Sequence, residues 1–167
     1  FIFELSDHRE IQDKLGVQFD SPQLLSQALT HPSVLNEMPR GFLISYQRLE
    51  FLGDAVLGLV IADELFKRCP EIGEGELTTR RAGIVREESL ALLAAQLDLG
   101  KHLSLGRGED ISGGRERPSN LAAGIEALFG AIFLDKGFSF TRTLIVRLIA
   151  ADLDRVARLG VALDPKS

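Results

Sequence analysis

Apolar residues recur every three or four positions along most of the chain, and this spacing places them on one face of a helix. No segment shows the alternation of apolar and polar residues that is typical of a half-buried strand. In the segment from about 45 to 68, apolar residues also fill the intervals, so we expect the middle of that helix to be buried on all sides. The pattern predicts an all-α fold with helices at about 11–15, 22–29, 45–68, 76–97, 119–135 and 139–158.

Glycine, proline and capping residues indicate where these helices begin and end. Ser21 followed by Pro22 is typical of a helix start. Gly16 can end the first helix, and we expect the helix at 76–97 to bend near Gly83 or Arg86. The remaining glycine- and proline-containing segments predict turns or surface loops at 36–44, 73–75 and 106–118.

The composition is that of one folded domain. The chain has 167 residues, of which 45 % are hydrophobic, and its formal net charge is -5. A negative chain needs local basic groups or divalent cations to bind a polyanion such as nucleic acid. The single cysteine, Cys69, excludes an internal disulfide, argues against a zinc site and fits a reducing compartment. No apolar run approaches the ~20 residues of a membrane span, so we expect a cytoplasmic protein with no membrane partner.

Three acidic residues stand in apolar surroundings, which is the unusual feature of this sequence. Glu50 and Asp54 are four residues apart and therefore share a face of the long helix, and Glu126 lies between Ile125 and Ala127 in a later helix. Burying a carboxylate is costly unless it is paired or binds a metal. Three carboxylates that converge from two helices would suit Mg²⁺, which prefers hard oxygen ligands in octahedral geometry.

Ion pairing is the alternative explanation for these acids. Glu50 could pair with Arg48 or Arg81, and Glu126 could cap a helix or pair elsewhere, because paired carboxylates are common on helices. The spacing alone leaves both explanations open. We expect two other acids of these helices, Asp63 and Glu64, to be solvated surface charges. Asp135 is expected to belong to a helix end.

Four segments of the chain are similar to one known family. YQRLEFLGDAVL (46–57) resembles the signature of the ribonuclease III family, and QALTHPS (27–33), GEGELTTRRAGIVREESLALLA (73–94) and IEALFGAIFLDKG (125–137) match its motifs in order and spacing. The resemblance implies an all-helical, homodimeric endonuclease domain that hydrolyses double-stranded RNA with Mg²⁺, for which Mn²⁺ can substitute. It also implies staggered cuts that leave a 5′-phosphate and a 3′-hydroxyl.

The resemblance also assigns roles to residues of this chain. It implies three metal ligands, which are Glu50, Asp54 and Glu126. Asp54 and Glu126 would act in catalysis. Substrate contacts would fall on Gln47, where many members have a glutamate, and on Glu74 in the segment EGE. Phe51 matches an aromatic residue that inserts into the partner subunit, and its alternative role is that of an ordinary core residue.

One expected acid is absent. The family pattern before the last glutamate is typically Leu-Ala-Asp-x-x-Glu, whereas this chain has Ala123 in place of the aspartate. Asn120, one turn earlier, could supply an amide oxygen instead. Three explanations are open: the site works with three acids and additional water, the protein is a natural variant with weaker metal affinity, or the alanine was introduced to abolish activity.

Basic residues and the C-terminal segment bear on RNA binding. The final LDPKS (163–167) resembles the start of the linker that leads to a double-stranded-RNA-binding domain in bacterial members, so we expect a catalytic domain at 1–160 and linker at 161–167. Duplex RNA is recognised largely through phosphates and 2′-hydroxyls, which arginines can contact, although charged loops are often simply solvated. The candidate arginines are Arg80, Arg81, Arg86, Arg107, Arg115 and Arg117.

The leading hypothesis is therefore a Mg²⁺-dependent, double-strand-specific endoribonuclease domain that acts in RNA processing as a homodimer. The alternative is a ribonuclease III-like domain that binds RNA as a scaffold but has lost cleavage, and Ala123 is the feature that favours it. A helical dimerisation module without an RNA role would leave Glu50, Asp54 and Glu126 without a purpose.

Overall fold

The computed structural model describes residues 8–38 and 44–159, so the predicted linker at 161–167 and part of the loop at 36–44 lie outside the described residues. Within these residues the fold is all-α as predicted, with a single parallel bridge between Thr30 and Ser104. No helix in this part of the chain is long and apolar enough to cross a membrane. Short 3₁₀ segments occupy Pro32–Asn36 and Leu99–His102. The α-helices are α1 (Arg9–Leu15), α2 (Pro22–Ala28), α3 (Gln47–Arg68), α4 (Glu74–Val85), α5 (Glu87–Gln96), α6 (Arg107–Ile111), α7 (Pro118–Lys136), α8 (Phe138–Leu148) and α9 (Ala150–Leu159).

Helix α7 lies at the centre of the fold. Every residue from 120 to 132 is buried except Glu126, which is half-buried. Helix α3 packs along α7, and α2, α5 and α8 cover its other sides. A helix that is apolar on all sides must be enclosed in this way to remove its surface from water.

The expectation that the middle of α3 is buried on all sides is wrong. Leu57 and Val60 are fully buried, but Phe51, Leu59 and Phe66 are 80 %, 57 % and 72 % exposed. Because these three residues recur at seven- and eight-residue intervals, they lie on one side of α3. We call them the α3 stripe. Apolar patches of this kind commonly mark an interaction surface.

Most predicted helix ends agree with the structure to within two residues. Gly16 adopts a left-handed conformation with φ 70 and ends α1, and the predicted bend near Arg86 is a complete break between α4 and α5. Two details are wrong. Gly75 lies inside α4 instead of in a turn, and the segment at 139–158 forms two helices that meet at Ile149.

The acids that were expected to be solvated hold helices together. Arg142 of α8 lies 2.9 Å from Asp63 Oδ2 and 2.5 Å from Glu64 Oε1, both on α3. Asp135 lies in the last turn of α7 as expected, and its carboxylate accepts hydrogen bonds of 2.9 Å from the two backbone amides that precede α2. These contacts fix α8 and α2 against the central pair of helices, α3 and α7.

Candidate active site

Helices α3 and α7 cross at a point where each backbone carries a glycine. A Cβ atom on Gly53 would overlap the carbonyl oxygen of Glu126 and lie 2.9 Å from the amide nitrogen of Gly130. A Cβ atom on Gly130 would overlap the carbonyl oxygen of Leu49. Backbones this close leave no room for a side chain. Sequence reasoning missed this crossing, although a glycine in each of two strongly apolar segments was a signal that could have found it.

The crossing brings the three predicted acids together. Asp54 directly follows Gly53, so its carboxylate lies beside α7, where it shares a hydrogen bond with Glu126. Burial, this hydrogen bond and the negative charges of Asp54 and Glu50 raise the pKa of Glu126 to about 8. Burial and the charge of Asp54 also raise the pKa of Glu50. The three acids therefore form a mutually repelling group, which we call the acid cluster.

Ion pairing does not account for the acid cluster. The pKa values of Glu50 and Glu126 are raised by burial and by neighbouring carboxylates. Within the described residues, neither acid forms an ion pair with Arg48, Arg81 or another cation. The alternative that these acids are paired is thus wrong for the described part of the chain. Clustered acids with raised pKa values are a common property of functional sites.

A metal ion would need ligands in addition to these side chains. In residues 8–38 and 44–159 no three acidic, histidine or cysteine side chains are arranged closely enough to hold a metal ion by themselves. The donor chemistry nevertheless fits Mg²⁺, which usually keeps several waters and binds one or two carboxylates. The magnesium site stays a prediction, as does the role of each acid in it.

The two predicted substrate contacts are accessible. Gln47 is the first residue of α3, and Glu74 is the first residue of α4; both side chains are exposed. The hydroxyl of Ser45 lies 3.5 Å from the side-chain oxygen of Gln47. No described contact links Gln47 or Glu74 to the acid cluster, so their role in binding RNA stays a prediction.

Several arginines that were candidates for RNA contact are used within the fold instead. Arg80 is buried and donates to the sulfur of Cys69 and to a carbonyl of α9. Arg115 donates to one carbonyl oxygen within the 3₁₀ segment that ends at His102 and to the carbonyl oxygen of the residue after it. Arg117 pairs with a glutamate of α6. The segment at 106–118, expected to be a surface loop, contains that helix. The candidates whose side chains are exposed are Arg81, Arg86 and Arg107.

Phe51 is not a core residue of the described fold. Its side chain is 80 % exposed, so the alternative of an ordinary core position is wrong for the isolated chain. Leu59 and Phe66, which sequence reasoning did not single out, extend the same surface along the α3 stripe.

Comparison with known proteins decides the family. A profile described as Ribonuclease-III-like matches residues 21–153 of this chain. The chain belongs to the ribonuclease III family. The matched residues include α3 and α7, and therefore the whole acid cluster of this ribonuclease III-type nuclease domain.

Named relatives agree with this family. Ribonuclease 3 of Dehalococcoides mccartyi strain CBDB1 is 49 % identical over 161 residues, which cover 96 % of this chain and 68 % of that protein. Ribonuclease 3 of Desulforamulus reducens is 50 % identical over 146 residues, which cover 87 % of this chain and 59 % of that protein. The chain thus spans about two thirds or less of the curated relatives it matches.

Solved structures give the same fold. The nuclease domain of ribonuclease III from Campylobacter jejuni matches with a TM-score of 0.79 and 39 % identity, covering 86 % of this chain and 96 % of that one. Dicer from Pichia stipitis matches with a TM-score of 0.60 over 81 % of this chain and 57 % of that one; at 22 % identity this likeness shows the fold alone.

Ala123 distinguishes this ribonuclease III domain from the family pattern. Ala123 is 8 % exposed on α7, one turn before Glu126, and its methyl group contributes no oxygen to the acid cluster. Asn120 does not replace the missing acid, because its side-chain oxygen lies 3.1 Å from His31 Nε2 and its nitrogen donates to Glu109 and Gly114. The suggestion that Asn120 supplies a metal-site oxygen is therefore wrong for this structure.

Proposed function

We propose that this chain is the nuclease domain of a Mg²⁺-dependent endoribonuclease that cleaves double-stranded RNA in RNA processing. The observation that carries the proposal is the acid cluster, in which three carboxylates without a described cation crowd around the α3–α7 crossing. Such an arrangement destabilises the free protein and is retained where function requires it. A cation shared by these acids would relieve the repulsion between them.

Each residue has a defined task in this proposal. Glu50, Asp54 and Glu126 would hold Mg²⁺, which when bound supplies an activated water and stabilises charge on the phosphate. The bound cation would also lower the carboxyl pKa values, so that Glu126 gives up its proton on binding. Gln47 and Glu74 would hydrogen-bond the RNA and orient the scissile phosphate. Products would carry a 5′-phosphate and a 3′-hydroxyl.

The proposed enzyme is a homodimer that works in the reducing cytoplasm, where its one cysteine stays a thiol. The support for dimerisation is the α3 stripe, whose side chains are 57–80 % exposed. A twofold interface would place this surface against its own copy. The Campylobacter jejuni nuclease domain is described as having structural flexibility in a region involved in dimer formation.

The runner-up function is an RNA-binding scaffold of the same family that no longer cleaves. The observation that favours it is Ala123, which leaves the acid cluster with three carboxylates where the family pattern has four. Both functions predict RNA binding, so the difference between them lies in turnover alone.

The deciding experiment incubates the purified chain with long duplex RNA and Mg²⁺ or Mn²⁺ at low salt. We expect the wild-type chain to cleave the duplex and Ala123→Asp to cleave it faster. Ala122→Asp is the matched control, because Ala122 is also buried on α7 and an acid there should only destabilise the fold. If the wild type and Ala123→Asp both leave the duplex intact while Glu126→Ala binds it equally well, the nuclease proposal is abandoned.

Sedimentation tests the dimer. The wild-type chain should sediment as a dimer at micromolar concentration and Phe51→Ala should shift toward the monomer. Ile111→Ala is the control, because Ile111 is 87 % exposed on α6 and its truncation should not alter the assembly. A wild-type monomer would argue against this part of the proposal.

A further inference from the structure

His31 lies between the N-terminal ends of the two helices that carry the acid cluster. On one side its ring packs edge-to-face against Tyr46, the residue before α3, with ring centroids 5.7 Å apart at an angle of 80°. On the other side its Nε2 atom lies 3.1 Å from the side-chain oxygen of Asn120 in the first turn of α7. We call these three residues the His31 junction.

The hydrogen bonds of His31 fix its tautomer. The backbone amide of Ser33, which can only donate, lies 2.9 Å from His31 Nδ1. Nδ1 is therefore an acceptor, and the proton of the neutral ring is on Nε2, from which it is donated to Asn120. Burial lowers the pKa of His31, against the effect of the Asn120 hydrogen bond, and the charge of Arg117 lowers it further. Burial thus favours the uncharged ring, in which Nδ1 accepts from Ser33 and Nε2 donates to Asn120.

Asn120 cannot turn away from His31 without losing other bonds. It is 7 % exposed, and its side-chain nitrogen donates to Glu109 Oε1 at 2.8 Å and to the carbonyl oxygen of Gly114 at 3.0 Å. With both protons of the amide engaged, its oxygen is left facing His31 Nε2. Each bond in this series has one donor and one acceptor, so the junction has a single arrangement.

Both sides of the junction lead to the acid cluster. The carbonyl oxygen of Tyr46 accepts from the amide of Glu50 at 2.8 Å, and the charge of Glu50 helps burial to raise the pKa of Tyr46 to about 12. The amide of Tyr46 donates to the carbonyl oxygen of Thr30 at 2.9 Å, directly before His31. Asn120 precedes Glu126 by two turns on α7.

We infer that His31 is a positioning residue of the nuclease site: its ring joins the start of α3 to the start of α7 and so sets the spacing between Glu50 and Glu126. This inference rests on the proposed nuclease function. His31 itself touches neither the acids nor, on this assignment, the RNA. The glycine crossing holds the two helices together at Gly53 and Gly130. The His31 junction ties their N-terminal ends to each other, so that the helices cannot pivot about the crossing.

Two substitutions of His31 separate positioning from simple stabilisation. In His31→Asn the shorter side chain can still accept from Ser33 at the start of the 3₁₀ segment, but it cannot reach Asn120. In His31→Gln the terminal amide can still donate to Asn120. We expect His31→Asn to lower kcat for duplex RNA by ~10- to 100-fold, as a misplacement of about 1 Å can do, with KM within about twofold. His31→Gln should recover most of kcat. Asn120→Leu cuts the same connection from α7 and should reproduce His31→Asn.

The outcomes differ for the inference and for the proposed function. The inference would be overturned by equal kcat losses in His31→Asn and His31→Gln, by a change in KM alone, or by no change. In each of these cases, cleavage by the wild type would still support the nuclease function. If the wild type does not cleave, the amide NMR signals of Gly53 and Gly130 provide the test. They should shift in His31→Asn and stay near their wild-type positions in His31→Gln, and identical spectra for both variants and the wild type would overturn the inference.

Discussion

The N-terminal half of α3 carries Glu50 and Asp54, and its C-terminal half carries Asp63 and Glu64, so one helix contains two pairs of acids. The C-terminal pair is neutralised by Arg142 of α8, with further contacts to lysine and arginine of α3 itself. The N-terminal pair has no described cation and faces a third acid on α7. We refer to these as the paired and the unpaired end of α3.

The two ends show how the same residue types serve different purposes. At the paired end, each carboxylate gains a partner that ties α3 to α8, and the hydrogen bonds and charges of Lys67 and Arg142 lower the pKa of Asp63. At the unpaired end, burial and repulsion raise the pKa of Glu50 and Glu126. Acids that oppose their own burial do not stabilise the fold, so the unpaired end is where a function is to be sought. Four predictions test this difference.

The largest expected effect is on activity at the unpaired end. Glu126→Gln keeps the shape of the side chain but cannot ionise to a carboxylate, and we expect it to lower duplex-RNA cleavage by roughly 10²- to 10⁴-fold, the range associated with a positioned acid or base. Glu64→Gln is the matched control at the paired end and should cleave like the wild type. Comparable losses in the two variants, measured by gel assay at one Mg²⁺ concentration, would remove the distinction between the ends.

The second prediction concerns the crossing that creates the unpaired end. Gly53→Ala would force the backbones of α3 and α7 apart, and we expect it to lower the free energy of unfolding by about 3 kcal/mol, as overpacking does. Gly58→Ala on the same helix is the control, because a Cβ atom there meets nothing within 4 Å. Alanine at that position should raise stability by up to ~1 kcal/mol through its helix propensity. Urea titrations compare the two variants, and equal values would contradict the close crossing.

The third prediction concerns pH in the absence of divalent ions. The pKa of Glu126 is about 8 in the folded protein, above the ordinary value of a glutamate in the unfolded chain, so the folded state binds more protons between these values. The resulting stability is complete below the unfolded pKa and is lost as the pH rises through 8. We expect a loss of about 1–2 kcal/mol, discounted because the carboxyl is partly solvated. Glu126→Gln should flatten this dependence, and a wild-type stability that rises from pH 5 to 8 would contradict it.

The smallest effect is expected at the paired end. Arg142→Gln breaks the contacts to Asp63 and Glu64, and we expect it to lower the free energy of unfolding by about 1 kcal/mol, since the pair is partly exposed. RNA cleavage by this variant should equal that of the wild type below its unfolding temperature. A loss of cleavage without a loss of stability would mean that the paired end also acts in function.

Patterns that repeat along one helix were predictable from the sequence. The bounds of α3 and the end of α1 at Gly16 agree with the structure to within two residues, because apolar periodicity and glycine termination are local properties. The spacing left ion pairing and convergence both open for Glu50, Asp54 and Glu126, and it was the family resemblance that assigned the three acids to one site.

Features that depend on contact between distant segments were not predictable in this way. The pairing of Asp63 with Arg142 joins residues 79 positions apart, and nothing in the neighbourhood of either residue indicates it. The exposure of Leu59 and Phe66 was missed for the same reason, since periodicity cannot say whether an apolar face meets its own core or another molecule. His31 belongs to the segment QALTHPS, but its contact with Asn120, 89 positions later, follows only from the folded structure.

The central position of α7 has a consequence for synthesis of the chain on the ribosome. Helices α2, α3 and α5 bury their apolar faces against a helix that is translated after all of them. Until α7 has emerged from the ribosome, the surfaces that pack on it lack that partner and are open to chaperones or to a neighbouring nascent chain. The emergence of α7 is therefore the first point in translation at which these three earlier helices can gather around a common centre, which α8 then covers.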